Sequence, residues 1–193
     1  MLRDILQQAR IAVLALLALT LLTGVIYPLL VTGIAQVAFP FQANGSLVRH
    51  RGRIVGSRLI GQAFTDPKYF WSRPSATTPF PYNAASSSGS NLGPTNPELV
   101  AKVRDRVTAL RPNQSGDTPI PVDLVTSSAS GLDPDLSPAA ALYQVPRVAR
   151  VRGLPEAQVY QLVLHHIEDR QFGILGEPRV NVLLLNLSLN ELQ

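Results

Sequence analysis

His165-His166-Ile167-Glu168-Asp169 is the densest group of ligating and titratable side chains in this 193-residue sequence. His165 and Asp169 stand four apart, which on a helix places an imidazole and a carboxylate on one face within reach of a shared metal ion. No third ligand stands at a suitable spacing, so the group reads as a polar helix face with local ion pairs. Asp133-Pro134-Asp135 begins like a calcium loop but lacks the further alternating ligands, and reads as a turn leading to a helix cap at Ser137. Ser128-Ala129-Ser130-Gly131 offers hydroxyls with no adjacent base to activate one as a nucleophile. Neither lysine, Lys68 or Lys102, follows a glycine-rich run, and neither an HExxH nor a GxSxG motif occurs. The residues therefore point away from nucleotide hydrolysis, metalloprotease chemistry and serine-hydrolase chemistry.

What remains is a long stretch built for contact. Tyr69 to Asn96, YFWSRPSATTPFPYNAASSSGSNLGPTN, has no acid and almost no aliphatic residue, yet carries Phe70, Trp71, Phe80 and Tyr82. Rings left in water would waste apolar area. Pro74, Pro79, Pro81 and Pro94 restrict the chain before it meets anything, which lowers the entropy lost on docking. On composition alone an exposed flexible segment and a recognition loop both stay open; the rings and prolines weigh against disorder. The segment's candidate contact residues are Phe70, Trp71, Arg73, Tyr82, Asn83, Ser90, Asn91 and Asn96, with Ser128, Ser130 and Asp133 as a second loop.

The elements that must position this loop follow from the pattern around it. No charged side chain occurs from Ile11 to Val48. A helix over residues 11–39 rises about 43 Å, more than the ~30 Å hydrocarbon core of a bilayer, with Pro28 as the place for a bend. The run extends past a signal-peptide core of about 7–15 residues, so a retained anchor is favoured over a cleaved signal, although AQVA near residue 38 imitates a cleavage site. The domains expected are a short 1–10 segment, a transmembrane helix at 11–39 and one mixed α+β domain at 40–193. Arg53 to Phe64 has strand character. Thr95-Asn96-Pro97-Glu98 reads as a capping box, opening a helix with Leu99, Val100, Val103, Val107 and Leu110 on one stripe and Pro112 just past its end. Ile120 to Thr126 reads as a strand, Ser137-Pro138 as a helix start, Val145-Pro146 as a break or restart, and Leu154-Pro155 as the start of a third helix with Val159, Leu162, Val163 and Ile167 inward. Arg179 to Leu187 reads as a buried strand.

Cysteine is absent, so there are no disulfides or thiolate metal sites. The formal net charge is +4. The alternating Arg49, Arg51, Arg53 and Arg58 lack interleaved aromatics for stacking bases, so no nucleic-acid partner is expected. Basic residues flank the apolar run on both sides, and charge alone leaves its orientation open once a long domain follows.

Several segments in order, GVIYPLLVTGIAQVAFPFQANGSLV (24–48), GSRLIGQAFTDPKYFWSRPSA (56–76), YNAASSSGSNLGPTNPEL (82–99) and PVDLVTSSASGLDPDLSPAAA (121–141), with QVPRVARVRGL and NVLLLNLSL beyond, resemble the KdpC family, the C subunit of Kdp-type potassium-transporting ATPases. The resemblance implies a single-pass subunit of the bacterial inner membrane, with its N-terminus in the cytoplasm and its α+β domain extracytoplasmic. It also implies partners: a channel-like potassium-binding subunit (KdpA), a P-type ATPase subunit (KdpB) and a small helix (KdpF), with lipid around the anchor. The role it implies is non-catalytic: assembly, a catalytic-chaperone effect on the ATP affinity of the ATPase subunit, or a cap over the potassium entrance, with the 69–96 loop ordered to dock on partner subunits or shape the potassium route and Arg73, its one cation, paired so as not to repel the ion. No cofactor is expected on this chain, ATP and K+ being handled by the complex. The sequence departs from the family pattern at Ser88-Gly89-Ser90, which has one glycine fewer, and at Leu136. A membrane-anchored extracytoplasmic hydrolase using His165 or His166 with the serine-rich loops, and a free-standing binding module, remain as other classes.

Overall fold

The computed structural model describes residues 1–111 and 118–192. The chain divides into two compact units, Met1–Leu47 and Val48–Gln193. The first is one long apolar helix with a short sequel. Helix α1 (Leu2–Leu21) passes through a π-helical turn at Leu22–Ile26 into α2 (Tyr27–Ala38), followed by the single turn α3 (Pro40–Ala43). The 37 residues from Leu2 to Ala38 span about 56 Å. This is the one helix among the described residues long and apolar enough to cross a membrane. It starts well before Ile11. The irregularity expected at Pro28 takes the form of the preceding π turn, where the backbone absorbs the missing proline donor within a continuous helix.

The second unit is α+β. Strands β1 (Leu47–His50) and β2 (Arg53–Ser57) pair with each other; β3 (Asp135–Leu136), β4 (Ile167–Glu168) and β5 (Arg179–Asn181) form a second sheet in the order β3-β5-β4, both pairings antiparallel. Helices α4 (Pro97–Leu110), α5 (Pro138–Arg152), α6 (Glu156–His165) and α7 (Val182–Asn190) complete it. The core is Val145, Val148, Val159, Val163, Leu185 and Leu189 from α5, α6 and α7, with Phe70 from the long segment inserted among them, all essentially inaccessible to water. Each such side chain contributes roughly 1.5–3 kcal/mol by burial.

Several sequence expectations are corrected. Asn96, not Thr95, caps α4: its side chain accepts from Glu98 N at 2.8 Å, which places Glu98 one residue too early for a reciprocal box, and Glu98 pairs with Lys102 instead. The α4 stripe buries Leu110 and half-buries Leu99, Val103 and Val107, while Val100 stays exposed; Pro112 lies outside the described residues. Ile120–Thr126 is a 3-10 turn at Val122–Leu124 rather than a strand, because Pro121 fixes the entry and no strand pairs there. Pro146 lies inside a continuous α5; one lost backbone donor is outweighed by burial of Val145, Val148 and Ala149 around it. The run 179–187 is a strand only to Asn181. There the Asn181 side chain accepts from Leu184 N at 3.2 Å and caps a leucine-rich helix.

Candidate functional site

The first half of the 69–96 segment is held by side chains that imitate a neighbouring strand. Asn186 of α7 accepts from Phe70 N at 2.9 Å and donates to Phe70 O at 3.0 Å; Gln144 of α5 accepts from Trp71 N at 2.8 Å and donates to Trp71 O at 3.1 Å. One turn on, the buried Arg147 donates to the carbonyls of Pro67 and Tyr69 and to Gln144 Oε1, and its guanidinium stacks 3.8 Å from the Trp71 ring centroid. Burial pushes the Arg147 pKa down to about 10, so carbonyl dipoles and a ring face take the place of a counter-ion. Arg152, further along α5, donates to Lys68 O at 2.8 Å. None of these four helix residues was singled out from sequence. The available signal was polar Gln144, Arg147 and Asn186 on the apolar faces of their helices.

The next stretch folds on itself. Ser75 Oγ donates to Gly131 O and accepts from Tyr82 N; Thr77 Oγ1 donates to Phe80 O and accepts from Asn83 N. Tyr82 donates its hydroxyl to Arg73 O, and burial raises its pKa to about 12. The buried Asn83 donates to Thr78 O and accepts from Ala85 N. Arg73 is paired, with Nη1 2.8 Å from Asp133 Oδ2, while its buried Nε has no partner among the described residues. The 128–133 turn closes against this stretch. Ser128 Oγ accepts from Gly131 N and Ser130 Oγ from Leu132 N, with Gly131 at φ +67 and no room for a Cβ against Thr77 and Ser88.

Beyond Asn83 the bonding thins. Ser88 N and Ser87 Oγ donate to Ser130 O. A Cβ on Gly89 would meet Ala129 O at 2.8 Å, so the retained glycine stands where the backbones touch, and Ser88 takes the place of the missing one. Asn91 is exposed, at φ +52, and its side chain makes no hydrogen bond among the described residues. A cavity of about 360 Å³ opens here between Gly89, Ser90, Leu99, Lys102, Arg106 and Ser127, among others. The structure thus brings Arg73, Tyr82, Asn83, Ser128, Ser130 and Asp133 into one bonded cluster. It buries Phe70 and stacks Trp71 on Arg147, uses Asn96 as a helix cap, and leaves Ser90 and Asn91 with side chains unbonded among the described residues.

The histidines sit elsewhere. His165 Nδ1 lies 2.8 Å from Gln161 O; His166 lies 2.9 Å from Leu162 O and 3.0 Å from Ser188 Oγ. His166 thus meets a serine of α7, and among the described residues it has no hydrogen bond to the serine-rich loops. Glu168 instead joins Arg58 and Arg179, and Arg179 joins Asp135, in a chain of ion pairs across the β3-β5-β4 sheet. Burial raises the pKa of Asp135.

Comparison with known proteins accounts for nearly the whole chain. Residues 9–191 match the family model of the K+-transporting ATPase c chain. A "Potassium-transporting ATPase KdpC subunit" of Sorangium cellulosum is 63% identical over 182 residues, covering 94% of this chain and 96% of the relative. Proteins of the same name from Methylococcus capsulatus and Herpetosiphon aurantiacus are 61% and 60% identical, each over 96% of its own length and 94% and 95% of this chain. With a family match over almost its full length and relatives this similar, the chain belongs to the KdpC family, the c chain of K+-transporting ATPases.

Proposed function

We propose that this chain is the membrane-anchored, non-catalytic accessory subunit of an ATP-driven potassium importer, held by the 2–38 helix with its N-terminus in the cytoplasm of a bacterial inner membrane. Its α+β domain lies outside the cytoplasm, where it docks on the channel-like subunit at the potassium entrance and supports assembly with the ATPase subunit and the small helix. The observation that carries this is the two-part segment 69–96. Its first part is bonded into the domain; its second part presents Ser90 and Asn91 on a surface with few internal bonds. Neutral hydroxyls and amides suit a surface beside a potassium route, because a fixed unpaired cation there repels the ion; Arg73 meets that condition through Asp133.

An effect on the ATP affinity of the ATPase subunit then has to be allosteric. With the α+β domain outside and nucleotide in the cytoplasm, the effect travels from that domain as a coupling free energy through the membrane subunits. The test is co-purification. The chain, tagged at its C-terminus and extracted in mild detergent, is expected to bring down a channel-like subunit and a P-type ATPase subunit. Recovery of the chain alone, with the ATPase complex intact without it, would overturn the proposal.

A further inference from the structure

The cavity beside Ser90 differs in charge from the rest of the loop surface. Lys102 and Arg106 stand one turn apart on α4 and both line it. Arg106 is half-buried; its Nη1 donates to Val125 O at 2.7 Å, and no carboxylate lies within ion-pair distance of it among the described residues. Elsewhere in the domain Arg58, Arg73, Arg170 and Arg179 all sit on carboxylates, and the deeply buried Arg147 is surrounded by carbonyls and a ring. Arg106 has one carbonyl. Its pKa is lowered by burial, the mark of a desolvated charge left short of compensation.

The neutral groups of the cavity point the same way. The Ser75 and Thr77 hydroxyls on its wall are used internally, but those of Ser90 and Ser127 have no partner among the described residues and are free to donate. A guanidinium fork, an ammonium and hydroxyl donors around one cavity make a site for an oxyanion. Among the described residues no aromatic ring lines it, so they offer nothing on which a nucleobase stacks. Lys102 is already paired with Glu98 at 2.7 Å, so among the described residues at the cavity two cations and one acid leave a single uncompensated positive charge. One carboxylate cancels that charge, whereas a phosphate group, at about −1.5 to −2, overshoots it.

We propose that the Ser90–Lys102–Arg106–Ser127 cavity is a socket for an aspartate or glutamate side chain presented by a partner subunit of the importer. The proposal rests on the docking role given above. A surface that gathers a monovalent cation carries negative potential, which complements this socket, and engagement leaves no net positive charge beside the potassium route.

The intact complex tests it by zero-length carbodiimide coupling followed by peptide mass spectrometry, with Arg106→Gln, Arg106→Lys and Lys102→Gln variants assayed for salt-induced release. The expected result is a Lys102 amide to an acidic residue of another subunit, release about tenfold faster for Arg106→Gln with most of the loss recovered by Arg106→Lys, and a smaller effect for Lys102→Gln. Thermal unfolding of each variant separates a folding defect from a docking defect. Lys102 coupled only to Glu98 within an intact complex, with Arg106→Gln released no faster than wild type, would overturn the socket while leaving the accessory-subunit reading standing. Inorganic phosphate protecting Lys102 equally well with and without the partner subunits would also overturn it. Failure of the wild-type complex to form would instead overturn the reading on which the socket depends.

Discussion

Residues 69–83 and 84–96 are continuous and both free of acids, but the first holds every aromatic ring of the segment and three of its four prolines, while the second is mostly Ser, Ala, Gly and Asn. They end up doing different things. In the first stretch the backbone of Phe70 and Trp71 is satisfied by Asn186 and Gln144, and Ser75, Thr77, Tyr82 and Asn83 satisfy one another. In the second, bonding to the rest of the domain is concentrated at Ser87 and Ser88, while Asn91 stands exposed in a left-handed conformation. The difference follows from burial. A buried polar group must find a partner, and leaving one unpaired costs about 1–3 kcal/mol. Groups near the core are therefore used by the fold first, and only those that stay in water are left for another molecule.

The largest expected effect comes from the inner stretch. Phe70→Ala empties a fully buried site and is expected to lower the stability of the full chain in detergent by about 3–5 kcal/mol. Arg147→Ala belongs in the same range, since it strands the carbonyls of Pro67 and Tyr69 and uncovers the Trp71 ring. Thermal or denaturant unfolding reads both. If either variant unfolds like wild type, the segment is not part of the core. Next, Asn186→Ala removes both bonds to Phe70 from a buried position, and an expected loss of about 1–3 kcal/mol follows from the unpaired backbone groups.

A pH effect sharpens the same contrast. Burial raises the Tyr82 pKa to about 12 from an ordinary 10.0, so the folded state holds its phenolic proton more tightly than the unfolded chain. The stability linked to this group is fully present below pH 10.0 and is lost as pH climbs through about 12. Tyr82→Phe is expected to flatten that alkaline limb of the unfolding profile and to remove a late-ionising tyrosine from the phenolate absorbance titration, leaving Tyr143, whose pKa burial also raises. A profile unchanged by Tyr82→Phe would place that hydroxyl in water.

How much was legible beforehand divides along the same line. The long apolar helix, the α+β class, most of the α4 stripe and the Ser137 start of α5 followed from local periodicity and capping chemistry, and the pairing of Arg73 from the family resemblance. The strand expected at 179–187 was mostly helix, because a single capping asparagine and a leucine run favour α7 over pairing, a choice that an apolar run alone does not reveal. Gln144, Arg147 and Asn186 were not foreseen. Their role depends on which distant backbone meets which helix face, and sequence separations of 73 and 116 residues leave no local trace of that. The cationic cavity was missed for the same reason: nothing local in the sequence brings Ser90 and Ser127 against Lys102 and Arg106.

The smallest effect on stability belongs to the outer stretch, and there the account is most exposed. Ser90→Ala with Asn91→Gly removes two side chains that are unbonded among the described residues, and glycine keeps the left-handed backbone at position 91. The measurement to make is the retention of this double variant in the detergent-solubilised complex, alongside its unfolding midpoint. The account predicts unfolding within about 0.5 kcal/mol of wild type and a clear loss of retention with the channel-like and ATPase subunits. Full retention at an unchanged midpoint would contradict it, and residues 84–96 would then be a surface loop with no part in assembly.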